Sequence, residues 1–366
     1  MVFRRRALED LVSGMPFWRG RRVFVTGHTG FKGAWLCLWL TELGAEVTGY
    51  ALAPPTDPSL FVVAGVERRL RHILGDVRDG AALAAAVAEA RPEIVLHLAA
   101  QSLVRESYVD PVGTYATNVM GTINLLEAVR RVDAVRAAIC VTSDKCYENR
   151  ETDRPYREDD AMGGFDPYSS SKGCSELVTA AYRRSFFGEG GAAIASARAG
   201  NVIGGGDWAK DRLIPDLLAG FAAGARPVIR FPGAVRPWQH VLEPLSGYMR
   251  LAEVLCRGDG TAAEGWNFGP DEVDARPVGW IADRLAALWG DGAAWDLTGE
   301  PQPHEAKVLK LDCAKARARL EWTPRWNLDE ALRRTVDWRR AFEAGADMTD
   351  FSLGQIRERI AASTVS

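Results

Sequence analysis

The sequence has little with which to hold a metal or build a disulfide framework. Its six cysteines (Cys37, Cys140, Cys146, Cys174, Cys256 and Cys313) form no CxxC pair, and its five histidines show no HxxxH spacing. Zinc sites need such ligands at short spacing, so no metal is expected and the cysteines read as free thiols. Charge of one sign is not in excess either: 45 Lys and Arg face 48 Asp and Glu, a net −3. This balance excludes a general attraction to nucleic acid or to an anionic membrane surface. No stretch approaches the roughly 18 apolar residues that span a bilayer. The opening MVFRRRALEDLV carries arginines but no apolar leader core, so the chain reads as cytoplasmic.

What is present is a regular alternation. RRVFVTG (21–27) is a short apolar run ending in glycine, and GFKGAWLCLWLTELG (30–44) carries apolar residues at helical spacing up to a glycine stop. Further strands are expected at 45–52, 72–79, 93–100, 137–143 and 192–200, with helices between them, including a long one from Asp110 to Val132. Strand and helix in alternation predict an α/β fold, a Rossmann-type doubly wound parallel sheet over about 20–200. Gly- and Pro-rich loops and shorter helices over 201–345 predict a smaller, mainly C-terminal substrate-binding lobe, with some segments returning to the first unit.

Three constellations carry chemistry. Gly27-His28-Thr29-Gly30-Phe31-Lys32-Gly33 joins the first strand to the first helix. Glycines there let the backbone approach a pyrophosphate, and the free N–H groups of the helix start attract it. The acid that would hold an adenosine ribose is missing, because the second strand ends Gly49-Tyr50-Ala51-Leu52. This strand therefore does not separate NAD from NADP. Asp76-Val77, ending the third strand, is placed to flank an adenine or to cap a helix.

Val141-Thr142-Ser143-Asp144-Lys145 then brings a hydroxyl, a carboxylate and an amine to a strand's C-terminal end, where an open α/β sheet binds ligands. Finally, Tyr168 and Lys172 in YSSSK lie four residues apart, on one face of a helix. A phenol near pKa 10 is a poor base, but a neighbouring ammonium and a positive nicotinamide ring both favour phenolate, so Lys172 one turn away is expected to make Tyr168 a usable acid and base near neutrality.

TGHTGFKG, LHLAAQS, NVMGTINLLEA, VTSDK and YSSSK, in that order, resemble the extended short-chain dehydrogenase/reductase family over roughly 21–342. SDKCYENRE, DPYSSSKGCSELV, ARAGNVIGGGDWAKDRLIPD and RPWQHVLEPLSGY look most like its nucleotide-sugar 4,6-dehydratases. The resemblance implies NAD as cofactor, held by Gly27, Thr29, Gly30, Phe31, Lys32, Gly33, Asp76, Val77, Leu98, Ala99, Ala100, Tyr168 and Lys172. It implies Ser143, Asp144, Tyr168 and Lys172 as catalytic residues and a nucleotide sugar as substrate. Asn201 and Arg236, with Arg198, Arg212 and His240 as weaker candidates, match positions that bind the nucleotide diphosphate in relatives. A homodimer face on the helix 118–129 and the helix after Tyr168 is implied as well.

One position departs from the pattern. Where better-known dehydratases carry Asp-Glu, this chain has Asp144-Lys145, which makes Lys145 the candidate base for the sugar C5 proton. Two other readings share part of the same residues. A 4-epimerase would use Tyr168 and Lys172 alone, and a dinucleotide sensor would need neither.

Overall fold

A computed structural model of the chain describes residues 17–188, 190–298 and 308–363. The amino-terminal stretch read above for a leader lies outside these residues, as does His304. Six strands appear where they were expected: β1 (Arg22–Thr26), β2 (Glu46–Ala51), β3 (Arg71–Leu74), β4 (Ile94–His97), β5 (Ala137–Val141) and β6 (Ala193–Ala199). All six pair in parallel, in the order β6-β5-β4-β1-β2-β3. Helices cover both faces, so Val23, Val25, Ile94, Leu96 and the whole of β5 are buried. Trp35, Leu36, Leu38 and Leu40 of the helix Phe31–Glu42 fill one face. Leu83, Val87, Leu125, Leu126 and Val129 fill the other, from the helices Gly80–Ala90 and Gly121–Val129.

Three features differ from expectation. A seventh parallel strand joins the sheet beside β6, after β7 (Asn201–Ile203), β8 (Val228–Ile229) and β9 (Val235–His240); it is β10 (Gly265–Phe268). GWNF is too short and too mixed to show a strand period. The long helix expected from Asp110 is subdivided: Val104–Val109 ends at Asp110, which caps Pro111–Tyr115, and a π-helical turn, Ala116–Met120, precedes Gly121–Val129. That turn buries Asn118. Third, a helix Met348–Ser363 extends past the expected end of the lobe at 345 and buries Leu353, Ile356 and Ile360 in the same core as Trp35.

The second half forms a separate cluster in which Ile214, Leu217 and Phe221 pack with Ile281, Leu285 and Leu332. Between the clusters, β9 lies beside β7 and pairs antiparallel with β11 (Ala275–Pro277). No helix among the described residues is long and apolar enough to cross a membrane, and no group of three potential metal ligands occurs among them.

The last helix is tied down by charge inside the core. Arg359 meets Glu243 with two N–H donors, Nε to Oε1 at 2.8 Å and Nη2 to Oε2 at 2.9 Å, and both side chains are almost fully enclosed. Glu243 also accepts the backbone N–H groups of Arg325 and Trp326. Removing one member of a buried pair leaves the other charge without compensation. Glu243→Ala is expected to lower unfolding free energy by about 3–5 kcal/mol, read as a fall in the urea midpoint.

Candidate active site

The C-terminal ends of β1, β4 and β5 open into one cleft of about 1640 Å³. A pocket for one small ligand usually holds about 300–1,000 Å³, so this cleft has room for two. Its walls include Gly27, Thr29, Gly30, Phe31, Lys32, Gly33, Asp76, Val77, Leu98, Ala99 and Ala100 at one end. Ser143, Asp144, Lys145, Tyr168, Lys172, Asn201, Arg212 and Arg236 line it as well. Of the residues singled out from sequence, two stand apart from it. His240 is fully buried, its ring edge-on to Trp35 and Trp326, and Arg198 is buried against Glu176.

The glycine turn has the shape its sequence suggests. Gly27 has φ +75°, and a Cβ there would come within 2.6 Å of the Ala99 nitrogen; one on Gly33 would meet the Gly27 carbonyl at 2.2 Å. Only glycine at both positions lets the turn fold this tightly against the end of β4 and leave the helix start open to the cleft. These residues fit a dinucleotide phosphate. Thr29 spends its hydroxyl on the Leu52 carbonyl at 2.9 Å, tying the turn to the end of β2. Asp76 is engaged by Arg78, whose Nε donates to it at 2.8 Å and holds its carboxyl below the usual range.

Pro167 occupies the first turn of the helix Pro167–Phe186, and Asp166 caps it by accepting the Ser169 N–H at 2.9 Å. Tyr168 therefore sits in the first turn, where the helix dipole favours negative charge. The helix is cross-braced: Asn118 Nδ2 donates to Ser171 Oγ at 2.8 Å, and the Ser175 hydroxyl donates to the Asn118 carbonyl at 2.9 Å. One helical turn past Lys172, buried Glu176 accepts the Thr142 hydroxyl at 2.5 Å, the Ser196 hydroxyl at 2.6 Å and Arg198 Nη2 at 2.8 Å. Neither Asn118 nor Glu176 stood out in the sequence, although both lie within the quoted strings.

Burial pushes Tyr168 up to about 12, with a hydrogen bond from Ser143 and the charge of Arg212 pulling the other way. Lys172 is not among the groups that pull Tyr168 down here. It is itself pushed down to about 8 by burial, and its Nζ faces the Val141 carbonyl at 3.4 Å. Four residues of helical spacing put the two groups on one face, but the ammonium turns to the strand end. Asp144 accepts from Ser143 Oγ at 2.9 Å, while its Oδ2 is buried without a partner. Burial raises its carboxyl; Lys145 and Arg236 oppose that. Arg236 is buried, with Nη1 donating to the Val235 carbonyl at 2.9 Å. Arg212 reaches Asp207 at 3.1 Å and Ser102 at 2.9 Å.

The profile of the GDP-mannose 4,6 dehydratase family matches residues 24–272. The chain belongs to that family. A CDP-glucose 4,6-dehydratase of Salmonella typhimurium is 55% identical over 95% of this chain and 98% of its own length. A dTDP-glucose 4,6-dehydratase of Mycolicibacterium smegmatis is 30% identical over 88% and 94%. Among solved structures, a dTDP-glucose 4,6-dehydratase of Bacillus anthracis in complex with NAD superposes with a TM-score of 0.75 at 19% identity, covering 89% of this chain and 99% of that one. A UDP-glucose 4-epimerase of Thermotoga maritima gives 0.77 at 22%, covering 88% and 99%. Dehydratases and epimerases share this fold, so the chemistry must be argued from the cleft.

Beside the cleft, His97 is buried between Thr26 and Thr122, at 2.7 and 3.3 Å, and burial lowers its pKa to about 3; His240 is likewise lowered to about 3. Both rings are neutral in the folded protein, while unfolding exposes them to protonation near pH 6.5. Their contribution to stability is therefore complete above pH 6.5 and is lost as pH falls towards 3. Between pH 6.5 and 5.5 each is expected to remove about 1 kcal/mol of unfolding free energy. In His240→Gln the fall over this interval, measured by urea denaturation, is expected to be smaller than in the wild type by that amount.

Proposed function

We propose that the protein is a CDP-glucose 4,6-dehydratase, converting CDP-D-glucose to CDP-4-keto-6-deoxy-D-glucose and water. The observation that carries this reading is the 55% identity, over nearly the full length of both chains, to the Salmonella typhimurium enzyme of that name. Gly27, Gly30, Gly33 and the open helix start would hold the pyrophosphate of NAD, with Phe31, Asp76, Val77 and Leu98–Ala100 as walls. Bound there, NAD would supply a hydride acceptor for the sugar C4 and, once reduced, a hydride donor for C6.

Tyr168 takes the proton of the C4 hydroxyl, and Ser143 hydrogen-bonds the same oxygen. The protein's own groups leave the phenol high, so it becomes a base near neutrality only when positive charge is brought to it, by Lys172 turning from Val141 or by a bound cationic ring. Asp144, whose carboxyl burial biases towards holding a proton, protonates the departing C6 hydroxyl. Lys145, next to it in the cleft, takes the C5 proton. Asn201, Arg212 and Arg236 hold the substrate diphosphate, for which a guanidinium fork is suited.

The product suits the supply of deoxysugars for a surface polysaccharide, made in the cytoplasm. Met120, within 118–129, and Leu177, on the helix that carries Tyr168, are 49% and 61% exposed, with Val112 at 77% on the helix before them, and this apolar surface supports a homodimer there. Val112→Asp together with Leu177→Asp is expected to yield monomers by sedimentation; unchanged association would place the interface elsewhere.

The test of function is incubation with NAD and CDP-, UDP- or dTDP-glucose separately, following loss of one water by mass. Product from CDP-glucose alone is expected, whereas epimerised sugar without water loss would favour a 4-epimerase, which has no use for Asp144-Lys145. Tyr168→Phe is expected to lower turnover about 10²- to 10⁴-fold with substrate binding retained. Asp144→Asn is expected to permit oxidation but stall elimination, so that absorbance of the reduced cofactor builds up.

A further inference from the structure

The glycine turn carries a lysine that the mechanism above does not use. Lys32 lies between Gly30 and Gly33, and its Nζ donates to the phenol of Tyr248 at 3.0 Å, 5.2 Å from that ring's centroid. Tyr248 comes from the helix Leu242–Cys256 and is fully buried. Burial raises its phenol well above the ordinary value, so it stays a neutral partner. It accepts from the ammonium and would donate its own proton to a neutral amine, so it holds Lys32 in either state.

The charged groups that face Lys32 are those at the reacting end of the cleft. Lys172 and Arg212 oppose its charge, Asp144 favours it, and burial together with the two cations lowers it to about 7. Lys32 is thus in the phosphate turn by sequence and lines the same cleft as Asp144, Tyr168 and Lys172. A dinucleotide with its phosphates on the turn and its reactive ring at Tyr168 would lie along the wall to which Lys32 belongs.

We infer that Lys32, held by Tyr248, is a positioning charge that favours the reduced nicotinamide over the oxidised one. This rests on the reading that NAD occupies the turn. The oxidised ring carries a positive charge that hydride addition removes, so a fixed cation nearby opposes only the oxidised form. The same interaction therefore weakens NAD⁺ binding and, by linkage, draws the C4 oxidation forward.

The experiment is to measure dissociation constants of NAD⁺ and NADH separately, by calorimetry on the full chain, for wild type, Lys32→Met, Lys32→Arg and Tyr248→Phe. Lys32→Met is expected to tighten NAD⁺ about tenfold while NADH changes less than about twofold. Lys32→Arg, which is charged at every working pH, should keep a preference for NADH at least as large as that of wild type. Tyr248→Phe, which frees the ammonium from its place, should move the ratio part of the way towards that of Lys32→Met. Equal changes for both nucleotides, or none, in Lys32→Met would overturn the inference. If that variant does not fold, Lys32→Gln gives the same reading with a donor kept for Tyr248. Failure of wild type to bind either nucleotide would instead count against the cofactor reading itself.

Discussion

Glu176 is the carboxylate on which the arrangement of the cleft depends. It lies in the helix that carries Tyr168 and Lys172, yet its bonds leave that helix: Thr142 follows β5, Ser196 is in β6, and Arg198 is two residues further along β6. Arg198 in turn donates to the Tyr147 hydroxyl, which donates to Asn267 of β10 at 2.7 Å. One buried charge thus fixes the reactive helix, two central strands and the strand contributed by the second half of the chain. Burying it is tolerable because every bond reaching it comes from a donor, one of them a guanidinium. Its negative charge also raises Lys172, one turn away, against the lowering effect of burial.

The cleft is cationic at its reacting end. Lys32, Lys145, Lys172, Arg212 and Arg236 line it together with Asp144. Such a set suits a diphosphate, and burial acts against the charged forms of Lys32, Lys172 and Asp144 alike. It also explains why the tyrosine and lysine of one helix face do not act as a closed pair. In a crowd of cations, a backbone carbonyl is the better partner for Lys172 than a neutral phenol.

Most of the parallel sheet was legible because β-branched, fully apolar runs alternate with helical ones, and because the glycines at 27 and 33 admit no side chain. The strand-end hydroxyl and the Tyr168 helix were legible through their order along the chain. Other features were hidden for physical reasons. β10 is four residues long and is held by pairing with β6 and by bonds at Asn267 from distant segments, Tyr147, Tyr156, Glu158 and Asp312. His240 and Arg198 are polar letters in functional-looking strings, but their neighbours in space are tryptophans and a glutamate that no local pattern reveals. Lys32 was visible only as part of a phosphate turn, since its partner, Tyr248, is more than 200 residues away. The helix Met348–Ser363 escaped notice because arginines and glutamates punctuate its apolar face, and one of them is a buried anchor.

The lateness of β10 has a consequence for how the molecule is made. Parallel pairing of β10 with β6 joins residues about 70 apart in sequence, so that flank of β6 has no strand neighbour while the intervening lobe is being synthesised. An unpaired parallel edge is a template for association with another chain. Part of the lobe therefore doubles as a cover for the half that precedes it: nascent chains that stall within it would present a complete nucleotide-binding crossover with one raw edge.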